Sequence, residues 1–237
     1  MTTSPNSTAQ TADFEFAALR EARNYRAALL KEFSTHLRGR VLEVGAGIGQ
    51  ITDALLQLSA IEHLTSIEPD PAFCFELRMR LPQHNLVQGT IADLHTPEMW
   101  NAILSVNVLE HIENDVEELT AYREILRPAQ GTLCLFVPAR QEIYAPIDKD
   151  FGHFRRYSQG ELVGKLHSAG FNQIQIRYYN FIGYFLWWMS FCLLKRRSFD
   201  VSSVRLFDRA IFPLVHGFET RVLHPPIGQS LMVTATG

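Results

Sequence analysis

Two acidic residues, Glu43 and Glu68, flank a glycine-rich turn, Gly45-Ala46-Gly47-Ile48-Gly49. Glycine lets a chain turn sharply and lets a ligand approach the backbone without interference from a Cβ. The spacing is G-x-G-x-G, and Gln50 stands where the dinucleotide fingerprint G-x-G-x-x-G has its third glycine. Glu43, two places before the first glycine, suits a ligand that carries positive charge and opposes a pyrophosphate. Both features weigh against a nicotinamide dinucleotide. Glu68 follows the loop by about 20 residues, the distance at which a carboxylate accepts both hydroxyls of a ribose. Standing alone it reads equally well as a surface carboxylate at the end of a strand.

Two of the nine histidines lie in segments able to serve such a ligand: His111 in Leu109-Glu110-His111-Ile112, and His153 in Gly152-His153-Phe154-Arg155-Arg156-Tyr157. Each is a candidate general base, or else a structural histidine bonded to loop backbone. Arg155 and Arg156 suit bidentate recognition of a carboxylate or phosphate. Their other reading is a solvated pair, one of them bracing the loop through Asp148 or Asp150.

The elements that must position these groups alternate in period. Apolar residues recur at helical spacing from Phe14 to Leu37. Val41 to Val44 is a short strand entering the glycine loop, and Ile51 to Leu58 returns to a helical pattern. Leu64 to Ile67 is a second strand, followed by a helix from Pro71 to Leu81; proline is tolerated at the first helical position, where its missing N–H costs no bond. Leu86 to Gln88, Ala102 to Val106 and Gly131 to Val137 read as strands three, four and five, with a helix through Val116, Leu119, Ile125 and Leu126 before the last of them. Ser158 and Glu161 have capping-box spacing and open a helix that Gly170 closes. Ile174 and Ile176 mark a sixth strand and Ser230 to Thr234 a last one. Alternating strands and helices imply a mostly parallel sheet covered on both faces. Roughly fifty residues separate the last two strands, far beyond an ordinary connection, so residues 180–228 are expected to form a helical insertion.

The totals fit one domain over residues 13–237 behind a disordered polar lead, residues 1–12, which has no signal-peptide pattern. With 22 Lys and Arg against 25 Asp and Glu, the net charge is −3, and no basic stripe invites a nucleic acid. Cys74, Cys134 and Cys192 are too scattered for a metal site and fit a reducing, cytoplasmic setting. No metal is expected. The composition leaves the oligomeric state open.

The stretch GRVLEVGAGIGQIT, then SIEPD, NVLEHIEND, LRPAQGTLCLFVPA and GHFRRYSQGELVGKLHSAGF resemble the successive motifs of class I S-adenosylmethionine-dependent methyltransferases. The likeness is to the bacterial branch in which a LEHI and a GH-x-RRY segment occur together. It implies a Rossmann-like, doubly wound, seven-stranded sheet of order 3-2-1-4-5-7-6, its last strand antiparallel. It also implies S-adenosyl-L-methionine as cofactor and S-adenosyl-L-homocysteine as product. Carried over by position, Glu43, Gly45 and Ala46 face the methionine end, Gly47 and Gly49 shape the loop, and Glu68 with Pro69 holds the ribose. Thr90 and Ile91 approach the adenine, though relatives often have Asp where Thr90 stands. Asn107 and Val108 lie near the sulfonium, and Tyr25 comes over the cofactor when the first helix folds across it, unless it is a core aromatic. Methyl transfer is an in-line displacement that chiefly needs alignment and exclusion of water. His111 and His153 are its candidate catalytic residues, with Arg155, Arg156 and Tyr157 on the acceptor side.

The insertion opens with Phe181, Tyr184, Phe185, Trp187, Trp188 and Phe191, and Lys195-Arg196-Arg197 follow. Fourteen apolar residues are too few for a bilayer span, which takes about 20. The run can be a cap helix packed on the sheet, a surface for anionic membranes through residues 181–197, or the wall of a pocket for a greasy acceptor, with Trp187 in that wall. The expected activity is methylation of an oxygen or nitrogen of a small or lipid-like acceptor such as a carboxylic acid or phenol. Its rivals are a nicotinamide-dependent oxidoreductase, a catalytically silent cofactor-binding scaffold and a membrane-associated interaction protein.

Overall fold

A computed structural model describes residues 21–94, 99–198, 200–221 and 225–237. Seven strands form one sheet: β1 (Gly39–Val44), β2 (Ile61–Glu68), β3 (Asn85–Gln88), β4 (Ala102–Val106), β5 (Thr132–Pro138), β6 (Gln173–Tyr179) and β7 (Ser230–Thr236). Their order is β3-β2-β1-β4-β5-β7-β6. The first five run parallel, while β7 pairs antiparallel with both β5 and β6. This is the expected Rossmann-like α/β sheet.

The central strands are apolar on both faces because both faces are covered. Side chains alternate along a strand, and the two sides collect different cores. On one side Leu42, Val44, Ile103 and Leu135 pack with residues of the helices Asp115–Leu126 (α4) and Gln159–Ser168 (α6). On the other, Val41, Leu104 and Phe136 meet Leu29, Leu30 and Phe33 of α1 (Arg23–Phe33). Between them in sequence lie the short helix α2 (Thr52–Leu55), α3 (Pro71–Arg80) and α5 (Pro146–Asp150). The helical pattern expected from Phe14 lies outside the described residues up to residue 20, and within them α1 starts at Arg23.

Between β6 and β7 the chain forms α7 (Phe181–Trp187), α8 (Val201–Leu206) and α9 (Phe212–Arg221). A wider, π-type turn extends α7 over Trp188–Leu193, and another, Phe207–Ile211, joins α8 to α9. The first helix packs Trp187 and Phe191 onto Ile143 and Ile147 in the loop region after β5. The turn Phe207–Ile211 and α9 lie on α1. There Asp208, buried, accepts from the backbone N–H groups of Asn24 and Tyr25 at 3.0 and 2.9 Å. Those N–H groups belong to the open first turn of α1 and have no partner within the helix, so Asp208 caps α1 from 184 residues away. This bond fastens the insertion over the carboxyl ends of the central strands.

Candidate active site

The parallel register brings Val44, Glu68 and Val106 to the same edge of the sheet. β1 and β4 are neighbours there, and the chain leaves them toward opposite sides, which opens the crevice where ligands of such sheets bind.

The glycine loop is built into this crevice. Gly45, Gly47 and Gly49 have φ values of +77°, +53° and +82°, a region that side chains with a Cβ avoid. At Gly45 a Cβ would also collide with Val108 Cγ2. The N–H groups of Gly45 and Ala46 donate to Ile67 O, and Gly47 N–H donates to Glu68 Oε2 at 2.7 Å. The second oxygen of Glu68 accepts from Asp70 N–H at 2.9 Å. Asp70 in turn caps α3, accepting from Ala72 and Phe73 N–H. Loop, strand end and helix start are thus one hydrogen-bonded unit with the Glu68 carboxylate at its centre. Burial raises the pKa of that carboxyl, against the lowering effect of the two N–H donors.

Glu43 lies beneath the loop. Its Oε2 accepts from Thr52 Oγ1 at 2.7 Å and Ser66 Oγ at 2.5 Å, and burial pushes its carboxyl up to about 7. The donors to Glu43 are therefore side chains of α2 and β2. Thr90 is likewise engaged locally: its N–H and hydroxyl donate to Asp93, while Ile91 packs into the core and Pro69 is exposed.

Across the crevice, Asn107 ends β4 in the left-handed region, at φ +54°. Asparagine is the side chain that best tolerates this region after glycine. Beyond it a short turn, Leu109–His111, presents Glu110 and His111. The ring of His111 lies 4.6 Å from that of His153, edge to face. Burial, and then the neighbouring His153, hold the pKa of His111 down to about 4, so its imidazole is neutral near pH 7.

His153 is oriented by a buried network. Its Nδ1 lies 3.0 Å from Asp148 Oδ1, and the same oxygen accepts from Arg156 Nε at 2.9 Å and Nη2 at 2.8 Å. Asp148 is fully buried; burial alone would raise its carboxyl, but the hydrogen bond from His153 and the Arg156 charge hold it below its ordinary value. Tyr144 OH donates to His153 O. The Nε2 of His153 is buried with no hydrogen-bond partner among the described residues.

The arginine pair divides. Tyr157 bridges to Ala139 beyond the end of β5, its N–H donating to Pro138 O, so successive side chains of this extended segment face opposite ways. Arg156 turns inward, lies 4.3 Å from the ring centre of Trp187 and is 2% exposed. Arg155 and Tyr157 turn the other way and bond to Asp115, at 2.6 and 2.9 Å. The expectation that all three face an acceptor is corrected here: Arg155 and Tyr157 brace the loop against α4.

A cavity of about 390 Å³ lies between the strand ends and the insertion. Asn107, Glu110, His153 and Arg156 form its polar side, and Tyr25, Phe136, Trp187, Phe191, Val204 and Phe207 much of its apolar side. Tyr25 packs edge to face on Phe136 and Tyr179, so it is both a core aromatic and a wall of the cavity. Asp208 and Asn180 carry no motif and were not anticipated, and Glu110, although part of the LEHI segment, was given no role. Asn180 sits at φ +61° at the start of α7, donates to Gln229 and accepts from Gly183 N–H. Its only signal in sequence is that asparagine tolerates a left-handed backbone.

Residues 42–133 match the model of a family described as a methyltransferase domain. A curated relative from Mycolicibacterium smegmatis (strain ATCC 700084 / mc(2)155), named a probable S-adenosylmethionine-dependent methyltransferase, is 25% identical over 134 residues. That alignment covers 55% of this chain and 51% of the relative, so the chain spans about half the length of the curated protein it matches. Among solved structures, a SAM-dependent methyltransferase from Archaeoglobus fulgidus superposes with a TM-score of 0.58 at 14% identity, covering 93% of this chain and 94% of that one. Phosphoethanolamine N-methyltransferase 2 of Haemonchus contortus, in complex with S-adenosyl-L-methionine, gives 0.61 at 13% identity over 90% of this chain and 52% of that one. Residues 42–133 are thus similar to a methyltransferase domain, and the fold is one shared with S-adenosylmethionine-dependent methyltransferases of known structure.

Proposed function

We propose that the chain transfers a methyl group from S-adenosylmethionine to an oxygen, or a nitrogen, of a small and partly apolar acceptor held beneath the helical insertion. The observation that carries this reading is the cavity: it has the size of a small-molecule site, and it joins an aromatic wall to two sets of polar groups, one at the strand ends (Asn107, Glu110, His153, Arg156) and one on the insertion (Arg196, Asp200).

The residues of the crevice fit the cofactor. The left-handed glycines leave a cradle that a Cβ at Gly45 would close. Glu68, fixed by Gly47 and Asp70, keeps lone pairs for ribose hydroxyls. Ala46, Gly49 and Val108 frame the loop, and Pro69, Thr90 and Ile91 border the place of the adenine. When bound, the cofactor supplies a methyl carbon already activated on sulfur; the acceptor's lone pair forms the new bond as the carbon–sulfur pair stays on sulfur.

The protein's part is to align and to exclude water. Asn107 marks the strand end nearest the transfer, and Tyr25 and the insertion cover it. His111 and His153 act on the acceptor's polar end, where a hydroxyl must lose its proton. Arg156, held by Asp148 and Trp187, adds a fixed positive charge suited to an anionic acceptor. Carboxylic acids, phenols and lipid-linked molecules combine these polar and apolar demands.

Calorimetric titration with S-adenosylmethionine and S-adenosylhomocysteine, beside a Glu68→Ala variant and an NAD control, tests the cofactor half. Saturable binding that weakens in the variant and is absent for NAD is expected. A screen for S-adenosylhomocysteine release then tests the acceptor half. Turnover confined to acceptors with no apolar part would overturn it.

A further inference from the structure

Glu110 and His153 line the cavity, and His111 stands beside them. Each offers one donor atom, and the three atoms lie within 4.8 Å of one another. Glu110 and His111 come from the turn after β4, and His153 from the loop that follows α5. Two ligands bound at about 2.1 Å from one ion in tetrahedral geometry stand about 3.4 Å apart. A cation would therefore draw the widest pair in by up to about 1.4 Å.

A second observation points the same way. A histidine that ligates a metal almost always gives its other ring N–H to a carboxylate or carbonyl, which fixes its tautomer. His153 has that arrangement, with Nδ1 at 3.0 Å from the buried Asp148 carboxylate. The proton on Nδ1 leaves the lone pair on Nε2, and Nε2 is the buried nitrogen with no hydrogen-bond partner among the described residues. A buried acceptor without a donor is unfavourable, and an arriving cation satisfies it. Asp148 is itself held by Arg156 and by Ala145 N–H, so the imidazole is fixed in direction before anything binds.

We infer that Glu110, His111 and His153 hold one divalent transition-metal cation, of the Mn²⁺, Fe²⁺, Co²⁺ or Zn²⁺ type, at the acceptor end of the cavity. Two imidazoles and one carboxylate favour such ions over Mg²⁺ and Ca²⁺, which prefer oxygen ligands. Three protein ligands leave the remaining positions open toward the cavity. Those positions suit an acceptor with neighbouring oxygens, such as a vicinal diol, a catechol-like ring or a carboxylate. A cation there stabilises the deprotonated oxygen and fixes its direction, so the two histidines would act on the acceptor through the ion. The acceptor's place rests on the methyltransferase reading above; the cation site rests on the three side chains alone.

The test uses untagged full-length protein stripped by a chelator and titrated with Mn²⁺, free ion being read by EPR. One equivalent should bind with a micromolar Kd. Glu110→Gln, His111→Ala and His153→Ala should each weaken it at least tenfold, while His63→Ala, an exposed histidine on β2, should not. Because a variant can misfold, wild-type protein loaded with one Cu²⁺ is measured as well, and nitrogen hyperfine structure from two imidazoles is expected. Absence of saturable Mn²⁺ binding, binding that survives all three substitutions, or a copper signal without two nitrogens would overturn the inference. S-adenosylmethionine is titrated into the metal-free protein in parallel. Cofactor binding without cation binding sinks the cation site alone, and cation binding without cofactor binding sinks the methyltransferase reading alone.

Discussion

Replacing Glu43 with glutamine should change the way stability depends on pH. The carboxyl is 3% exposed and accepts from Thr52 and Ser66, yet burial outweighs those bonds and its pKa is pushed up to about 7. In the unfolded chain it titrates near ~4.3. Between the two values the folded chain holds a proton that the unfolded chain has released, so stability falls as pH rises. The contribution is fully present below the unfolded value and is lost as pH passes through the folded one. Its steepest decline is about 1.4 kcal/mol per pH unit, and from about pH 5 to about pH 8 it sums to roughly 2–3 kcal/mol. The amide cannot titrate and keeps an oxygen for both hydroxyl donors. Wild type and Glu43→Gln are compared by urea denaturation across that range, and the difference between them is read. The histidines His84 and His111, whose lowered pKa values act in the opposite sense, are common to both proteins and largely cancel. The variant should gain on the wild type by roughly 2–3 kcal/mol toward the alkaline end. A difference that stays flat with pH would refute the reasoning, because Glu43 would then be ionised at both ends. Repeated with saturating S-adenosylmethionine, the slope should flatten if the cation of the ligand lies within reach of Glu43, since a nearby positive charge favours the carboxylate.

Gly45→Ala places a Cβ against Val108 at φ +77°; it should cost roughly 1–3 kcal/mol in thermal or chemical denaturation and weaken cofactor binding in calorimetry. The insertion exposes Trp188, Met189, Leu193 and Leu194 directly before Lys195, Arg196 and Arg197, and among the described residues no helix is long and apolar enough to cross a membrane. Ser190 and Arg196 also line the cavity, so its mouth lies at this surface. Wild type should therefore sediment with vesicles containing anionic lipid and less with neutral ones. A Leu193→Glu, Leu194→Glu double variant should lose that binding while it keeps its melting temperature.

The strands were readable because each central strand is a short apolar run ended by turn residues, and local sequence carries that pattern; their order came from the resemblance. The glycine loop and Glu68 were readable for a related reason: left-handed backbone and a carboxylate at a strand end are properties of a few adjacent residues. The motif series also pointed to the cofactor. Side-chain direction in the extended 155–157 segment was not readable, since it depends on the bridge of Tyr157 to Ala139, and that pairing sends Arg156 into the cavity and Arg155 to Asp115. The position of Glu43 likewise follows from where α2 and β2 bring Thr52 and Ser66. Asp208 caps a helix from the far end of the chain, and no local pattern encodes a bond across 184 residues. The sequence by itself therefore determined the strands and the loop, which rest on periodicity and on neighbouring residues, while the strand order and the class of cofactor came through the resemblance of its motif series. Only the tertiary structure decided which polar groups meet around the acceptor, because Glu110 and His111 reach His153 across more than forty residues, through the packing of two loops against the same strand ends.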